Sequence, residues 1–458
     1  MDMTRGPLLL NILIFTLPVI GSSLLQVFFN TVDMIVIGRF EGDAALGAVG
    51  TTGSVINLIC SLFIGLSTGT GACVAVALGA RHHDDTRRLV HTAITTALFA
   101  GAALGGLGYF LTPRILSLMN VDASLIGMSI TYMRIYFLGA PFLMIYNFGF
   151  AIMRTMGDTR RPLFYMLAAG IANVGFNLLF VLVFNMGVAG VALGTVISLA
   201  VSATLVLIAL LRYRNACRLE VRHLRIHGRC LADILRIGIP AGLRGMLFGI
   251  SNTMLQAAVN SLGPEATSGN AAAGQIESFL YLIVAGFAQT TTYFIGQNYG
   301  AGYFRRVRRV LLTCVGLTCA AGVVFGGTFL LLRVPLIALY LPDGSAVALG
   351  YAYERMLAVM ILYFLEGTME ALSGALQGIK VSFVPMLVML GGICGLRLLW
   401  IFFAFPLPAL HSTGGLFLCY PISWGVTSAA LLLLVIWHFR KRCPLTADRE
   451  GREAAVTA

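Results

Sequence analysis

The sequence predicts an all-α, polytopic membrane protein, with twelve transmembrane helices forming two pseudo-symmetric six-helix bundles related by an axis along the membrane normal. Three observations carry this expectation. Of 458 residues, 58% are hydrophobic and 11% charged, whereas an ordinary soluble domain is about 25% charged. Apolar runs long enough to cross a bilayer recur twelve times. The second six runs also echo the first six at a nearly constant offset.

The runs lie at residues 9–37, 45–78, 89–111, 125–153, 163–184, 188–211, 236–260, 267–299, 310–332, 347–376, 383–405 and 413–439. Several exceed the ~20 residues a span needs, so tilt, kinks or projection beyond the membrane is expected. The first run, PVIGSSLLQVFFNTVDMIVIG, carries a lone carboxylate, Asp33. On a helix, Ser22, Gln26, Asn30 and Asp33 share one face, opposite Leu25, Phe28, Phe29, Val32 and Val36. An ionised Asp in hydrocarbon costs roughly 2.5–3.5 kcal/mol on insertion scales, so Asp33 is expected to face a polar interior and to act there. The blander reading is a structural Asp tied to a neighbouring hydroxyl or amide, but a polar stripe over several turns exceeds what one such bond needs. Arg134 and Arg355, early in the fourth and tenth runs, read as structural residues that snorkel or pair with acids. Pro18, Pro141, Pro240 and Pro421 lie within or at the ends of runs, where each can kink its helix.

Sliding the chain on itself by about 221 residues brings Leu17-Pro18 onto Ile239-Pro240 and Asn30-Thr31 onto Asn252-Thr253. Gly79 falls on Gly300, Tyr132-Met133-Arg134 on Tyr353-Glu354-Arg355, and Gly157 on Gly378. With a small gap, Gly190 and Ile197-Ser198 fall on Gly415 and Ile422-Ser423. A duplicated block of six spans has an even number of crossings, so both copies share one orientation.

The formal charge of +12 is topological. Alternate loops hold only Arg39, Arg114 and Arg333, and Arg134, Arg244, Arg355 and Arg397 lie inside runs; all other Lys and Arg fall in the remaining connections and the termini. That asymmetry places both termini in the cytoplasm of a multi-pass protein of the cell (inner) membrane, and no nucleic-acid partner is expected. The chain divides into an N-terminal bundle at 1–211, a basic cytoplasmic linker at 212–235, a C-terminal bundle at 236–440 and a cytoplasmic tail at 441–458. The N-terminus, MDMTRGPLLL, leads straight into the first run, so no removable signal peptide is expected. Nine scattered cysteines form no CxxC pair and read as packing residues. His82-His83-Asp84-Asp85, in a short basic loop, reads as a solvated turn rather than a metal cluster. No Gly-x4-Gly-Lys-Ser/Thr loop is present, so nucleotide-driven transport within this chain is excluded.

Several strings together resemble the multidrug and toxic compound extrusion (MATE) transporters of the larger flippase-like exporter superfamily. They are the first-helix pattern LP…Q…N..D…IG, then GLSTGTGACVAVALGAR, RTMGDTRRP and NVGFNLLFVLVFNMGVAG, followed in the second half by AAAGQIESFLYL, FIGQNYGAG and SGALQGIK. The resemblance covers nearly the whole chain and implies an antiporter that extrudes amphipathic, often cationic, compounds in exchange for Na+ or H+. It also implies no other cofactor, small amphipathic molecules and the bilayer as partners, and a monomer. Carried across residue by residue, Asp33 matches the coupling carboxylate of the first helix. Asn173 and Asn177 match a fifth-helix pattern in which relatives have Asn and then Asp. The usual carboxylate pair is thus reduced to one, and an amide can ligate Na+ through its oxygen but cannot exchange a proton. The expected cation-coupling set is Asp33, Asn173, Asn177 and Asn30, with Na+ at Asp33 and Asn177. The expected substrate cavity is Gln26, Asn252, Gln256, Glu277 and Glu366, the two glutamates matching acidic positions of different branches.

The coupling logic is one of charge. Proton and Na+ compete for a single carboxylate, and a cationic substrate that prefers the same ionised site makes ion and cargo mutually exclusive. One charge moving down 100 mV releases about 2.3 kcal/mol, enough to sustain a several-tenfold gradient of cargo. A lipid-linked oligosaccharide flippase of the same superfamily is the nearest alternative; such proteins often have more spans and a basic cavity. A membrane-embedded enzyme is less favoured, since no HExxH, GxSxG or Asp-rich loop occurs. A channel lacks support without a filter loop.

Overall fold

Helices follow the apolar runs, because in hydrocarbon a span must bond every backbone N–H and C=O within itself. The computed structural model describes residues 1–119, 121–342 and 344–448, apart from the side chains of Asp43, Ser54 and Ala447. The expected tail at 441–458 therefore lies outside the described residues beyond position 448. All regular structure among the described residues is helical. The first half comprises α1 Leu8–Phe40, α2 Gly42–Gly79, α3 His83–Leu118, α4 Ile126–Leu138, α5 Ala140–Thr155, α6 Arg160–Leu178 with a π-helical turn Leu179–Val183, and α7 Gly187–Arg212. The second half comprises α8 Gly228–Asn260, α9 Pro264–Ala301, α10 Phe304–Leu331, the short α11 Arg333–Ala338, α12 Ala346–Met360, α13 Tyr363–Gly378 and α14 Phe383–Met389. It closes with π-helical turns Leu390–Gly395 and Trp400–Ala404 on either side of α15 Leu396–Leu399, then α16 Thr413–Phe417 and α17 Cys419–Arg442.

Counting the bent pairs α4–α5 (47°) and α12–α13 (46°) as one span each, the described residues hold twelve spans. The expected fold class stands, and the duplication is visible in it. The fourth span of each half is broken, and the fifth span of each half contains π-helical turns. Pro141 accounts for the first break, since it opens α5 and cannot donate to the preceding turn. The second break, at Ile361-Leu362, contains no proline. Pro18 and Pro240, expected to kink their spans, lie inside the single uninterrupted helices α1 and α8. Local signals fix several ends: Gly263 (φ 107°) and Pro264 open α9, left-handed Gly302 (φ 78°) closes it, and the Ser345 hydroxyl caps α12 at Ala348 N.

By packing, the chain forms two units. Unit 1 is Met1–Asp2 with Leu17–Gly242; unit 2 is Met3–Thr16 with the chain from Leu243 onward. The divisions fall inside α1 and α8, each within two residues of the repeat-matched Pro18 and Pro240. They differ from the sequence boundaries because those were drawn on charge, whereas the units follow which helix each turn touches.

Within unit 1, the first turns of α8 lie against α2 through Gly65 and Gly69 on one side and Gly238 and Gly242 on the other. A Cβ on Gly238 would stand 2.6 Å from Leu66 Cα, so only glycine permits this approach. Gly238→Leu should lower thermal stability in detergent by the equivalent of about 1–3 kcal/mol, the usual range for overpacking; an unchanged melting temperature would show that the helices can separate freely there.

The expected linker at 212–235 is shorter than its charge suggests, because α8 already begins at Gly228. Residues 213–227 fold onto the first turns of α3 and the turn between α5 and α6: Tyr213 OH donates to Asp158 Oδ2 (3.0 Å), Glu220 N donates to His91 Nε2 (3.0 Å), and His227 N donates to Thr92 Oγ1 (3.1 Å). The Arg87 hydrogen bond, with help from His223, holds the Glu220 carboxyl below its ordinary value of 4.5. A lowered value in the folded protein means that this contribution is present above the ordinary range and fades as pH falls through the lower folded value. A spin label at Val221 should therefore gain mobility only below that range, and gain it at pH 7 in Glu220→Gln.

Within unit 2, the start of α1 lies on α9. Thr16 Oγ1 meets Thr290 Oγ1 at 2.8 Å, Asn298 Nδ2 donates to Met3 O (3.2 Å), and Phe15 makes an edge contact with Phe294 at 5.5 Å.

Candidate ion and substrate sites

In unit 1, α1 brings Asp33 to α6 and α7. Asp33 is 9% exposed; Asn177 Nδ2 donates to its Oδ1 (2.5 Å) and Thr195 Oγ1 to its Oδ2 (3.5 Å). Asn177 Nδ2 also approaches Asn173 Oδ1 at 3.5 Å, as expected for residues one helical turn apart. Asn177 is fully buried, and its Oδ1 has no hydrogen-bond partner. This oxygen faces Gly194 of α7, where any side chain would collide with it. Asp33, Asn173 and Asn177 are thus brought together, while Gln26 and Asn30, on the same helix, are exposed and do not join them. Thr195 was missed by the sequence reading; its only signal is a hydroxyl in an apolar run paired by the duplication with a polar position, Tyr420.

In unit 2, a cavity of about 500 Å3 takes in four of the five expected substrate residues, Asn252, Gln256, Glu277 and Glu366, together with Arg355, Arg397, Tyr363, Tyr420 and Trp424. Gln26 belongs to unit 1 and not to this cavity. Glu277 is not free to attract a cation alone, since it forms an ion pair with Arg355. The Arg355 guanidinium also bonds Asn270 and lies 5.5 Å and 5.7 Å from the ring centres of Phe417 and Tyr420. The reading of Arg355 as a residue paired with an acid is what the structure places there.

Arg397 is fully buried. Its Nη1 donates to Asn252 Oδ1 (3.1 Å), its Nε to Ser423 Oγ (3.3 Å), and its guanidinium lies 4.3 Å from the Tyr420 ring centre. Its Nη2 has no partner. Glu366 is 1% exposed, and neither of its carboxylate oxygens has a partner. Glu370, by contrast, is matched by Arg244 at 3.1 Å. Arg397 satisfies the criterion that singled out Asp33, a charge within an apolar run, and was passed over because no motif drew attention to it.

Among the described residues, no three His, Cys, Asp or Glu side chains gather to hold a metal ion. His82 and Asp85 are 3.6 Å apart and well exposed. Twelve spans in duplicate, with polar side chains gathered inside each half, define a multi-pass membrane protein. The profile of the MatE family matches residues 18–179 and 240–403, once in each half. The chain belongs to the MatE family of transporters.

The probable multidrug resistance protein YpnP of Bacillus subtilis (strain 168) is 26% identical over 393 residues, 85% of this chain and 88% of that protein. The multidrug export protein MepA of Staphylococcus saprophyticus is 24% identical over 95% of this chain and 94% of its own. Among solved structures, the outward-facing conformation of a multidrug resistance MATE family transporter of the MOP superfamily is similar, with a TM-score of 0.88 and 20% identity over 96% of this chain and 98% of that one. A MOP superfamily transporter from Pyrococcus furiosus, whose binding pocket is described as of reverse polarity, matches equally well, with a TM-score of 0.88 at 20% identity over the same shares.

Proposed function

We propose that this protein is a cation-coupled antiporter that exports amphipathic small molecules across the cytoplasmic membrane, with both termini on the cytoplasmic side and Asp33 as the seat of the coupling ion. The observation that carries the reading is the buried Asp33 carboxylate held by an amide and a hydroxyl from two other spans. The donors are all oxygen-bearing, as a hard monovalent cation requires: the carboxylate, Asn173 Oδ1, Thr195 Oγ1 and the unpartnered Asn177 Oδ1.

Asn177 supplies the switch. In the arrangement observed, its Nδ2 donates to Asp33. A half-turn of the amide exchanges nitrogen for oxygen, replacing a donor that satisfies the carboxylate with an acceptor that shares a cation with it. Ion arrival and loss are thereby tied to the orientation of the Asn177 amide on α6 toward Asp33 on α1. The names of the relatives, multidrug resistance and multidrug export proteins, favour chemically varied cargo.

The test is ethidium efflux from proteoliposomes under an imposed Na+ gradient or an imposed pH gradient. Efflux driven by one gradient and abolished by its collapse is the expected result; efflux indifferent to both would remove the antiport reading. Thr195→Val, which deletes one oxygen, should raise the half-saturating concentration of the coupling ion several-fold with little change in maximal rate.

A further inference from the structure

The segment at 213–227 carries a pattern of charge and apolar side chains that the transport reading does not use. It holds four arginines and a single acid. That acid, Glu220, is taken up by Arg87 and His223, and the guanidiniums of Arg218, Arg222 and Arg225 form no ion pair among the described residues. All three arginines are exposed. Interleaved with them are three exposed apolar side chains, Val221 (64%), Leu224 and Ile226.

The segment is nonetheless fastened. Cys217 and Leu219 are buried, and the backbone N–H groups of Glu220 and His227 donate to His91 and Thr92 of α3. A 3-10 turn, Val221–His223, lies between these two bonds, so a crest is held outward with both of its sides pinned.

The exposure pattern of α3 gives the depth of that crest. Its last exposed charge ahead of the span is Arg88, its first exposed apolar side chain is Leu98, and no residue from 89 to 97 is exposed. His91 and Thr92 lie between these levels, about 10 Å short of Leu98 at 1.5 Å per residue, which sets the crest just outside the hydrocarbon, in the headgroup layer. Segments that interleave arginine with apolar side chains at this depth lie in the interface, with their apolar groups at the acyl boundary and their charges on anionic headgroups. Topology alone accounts for basic residues in a loop, but it requires neither an apolar crest nor its fastening at headgroup depth.

We infer that residues 218–226 form a fixed docking surface for anionic phospholipid of the surrounding bilayer. Arg218, Arg222 and Arg225 hold the phosphates, and Val221, Leu224 and Ile226 reach the acyl boundary. The depth favours lipid over a nucleic acid or an acidic protein, either of which would approach from the water. The inference is independent of the antiport reading, so failure of gradient-driven efflux leaves it standing.

The test places Val221→Trp, in the full-length protein, in nanodiscs of equal parts phosphatidylglycerol and phosphatidylcholine. In one preparation only the phosphatidylglycerol is brominated near the top of an acyl chain; in the other, only the phosphatidylcholine. Charge and composition are the same in both, and emission from the three native tryptophans is subtracted with the parent protein. Each arginine near an anionic surface contributes about a fivefold preference, so quenching by brominated phosphatidylglycerol should exceed that by brominated phosphatidylcholine at least about threefold. Replacing Arg218, Arg222 and Arg225 together with Gln should bring the two to parity. Raising the salt to about 1 M, where the Debye length is about 3 Å, should do the same without any change to the arginines, and decides the matter should the triple variant fail to fold. Equal quenching by the two lipids, no quenching by either, or a preference that persists at high salt or in a folded triple variant would overturn the inference.

Discussion

Asp33→Asn should be made and inserted as well as the parent chain yet lose gradient-driven efflux by about tenfold or more, because an amide of the same shape can hold neither a proton nor the countercharge of a cation. Removing a charge from a span relieves roughly 2.5–3.5 kcal/mol of insertion cost, so the variant should be at least as stable as its parent, and lost transport cannot be assigned to misfolding. Asn177 and Asn173 would still meet the new amide, which can accept from Asn177 Nδ2 as the carboxylate does. Uncoupled binding of ethidium to the purified variant should persist. Export by Asp33→Asn within twofold of the parent, in drug-sensitive cells and in proteoliposomes alike, would remove the carboxylate from the mechanism.

The largest stability effect is expected at the Arg355–Glu277 pair. Both side chains are largely buried, and the guanidinium is also held by Asn270 and by two aromatic rings. Truncating one partner of such a pair leaves the other charge uncompensated and typically costs about 3–5 kcal/mol. Arg355→Met alone or Glu277→Leu alone should therefore lower the melting temperature sharply and deplete the monodisperse peak in size-exclusion chromatography. The double variant should recover much of the loss, since replacing both charges with apolar groups is often close to neutral. A double variant whose loss equals the sum of the two single losses would mean that the two charges do not act as a pair.

The parts of this molecule legible in the sequence are those written in local chemistry. Twelve apolar runs gave twelve spans, and Pro141 marked the bend between α4 and α5. Asp33 announced itself as a charge where charge is expensive. Asn173 and Asn177 came from a family pattern, and the structure sets them beside Asp33. What stayed hidden depends on partners chosen in three dimensions. Thr195 is one hydroxyl among many until α7 is laid on α6 and its oxygen meets the carboxylate. Glu277 was expected in the substrate cavity without a partner, because nothing in the order of residues ties it to Arg355, seventy-eight positions away. The bend at Ile361-Leu362 has no proline to signal it. The packing divisions at Thr16/Leu17 and Gly242/Leu243 run through unbroken helices, which a boundary drawn on loops and charges passes over.

Those two divisions bear on how the gene can be cut. Unit 2 takes in residues 3–16, and unit 1 takes in α8 as far as Gly242, so a break in the segment at 213–227 separates each unit from turns encoded on the other fragment. Either half-protein synthesised alone should be degraded, whereas the two coexpressed should complement one another. Duplication made the halves alike, and complementation of this kind would show that the exchange of end pieces ties the folding of each to the other.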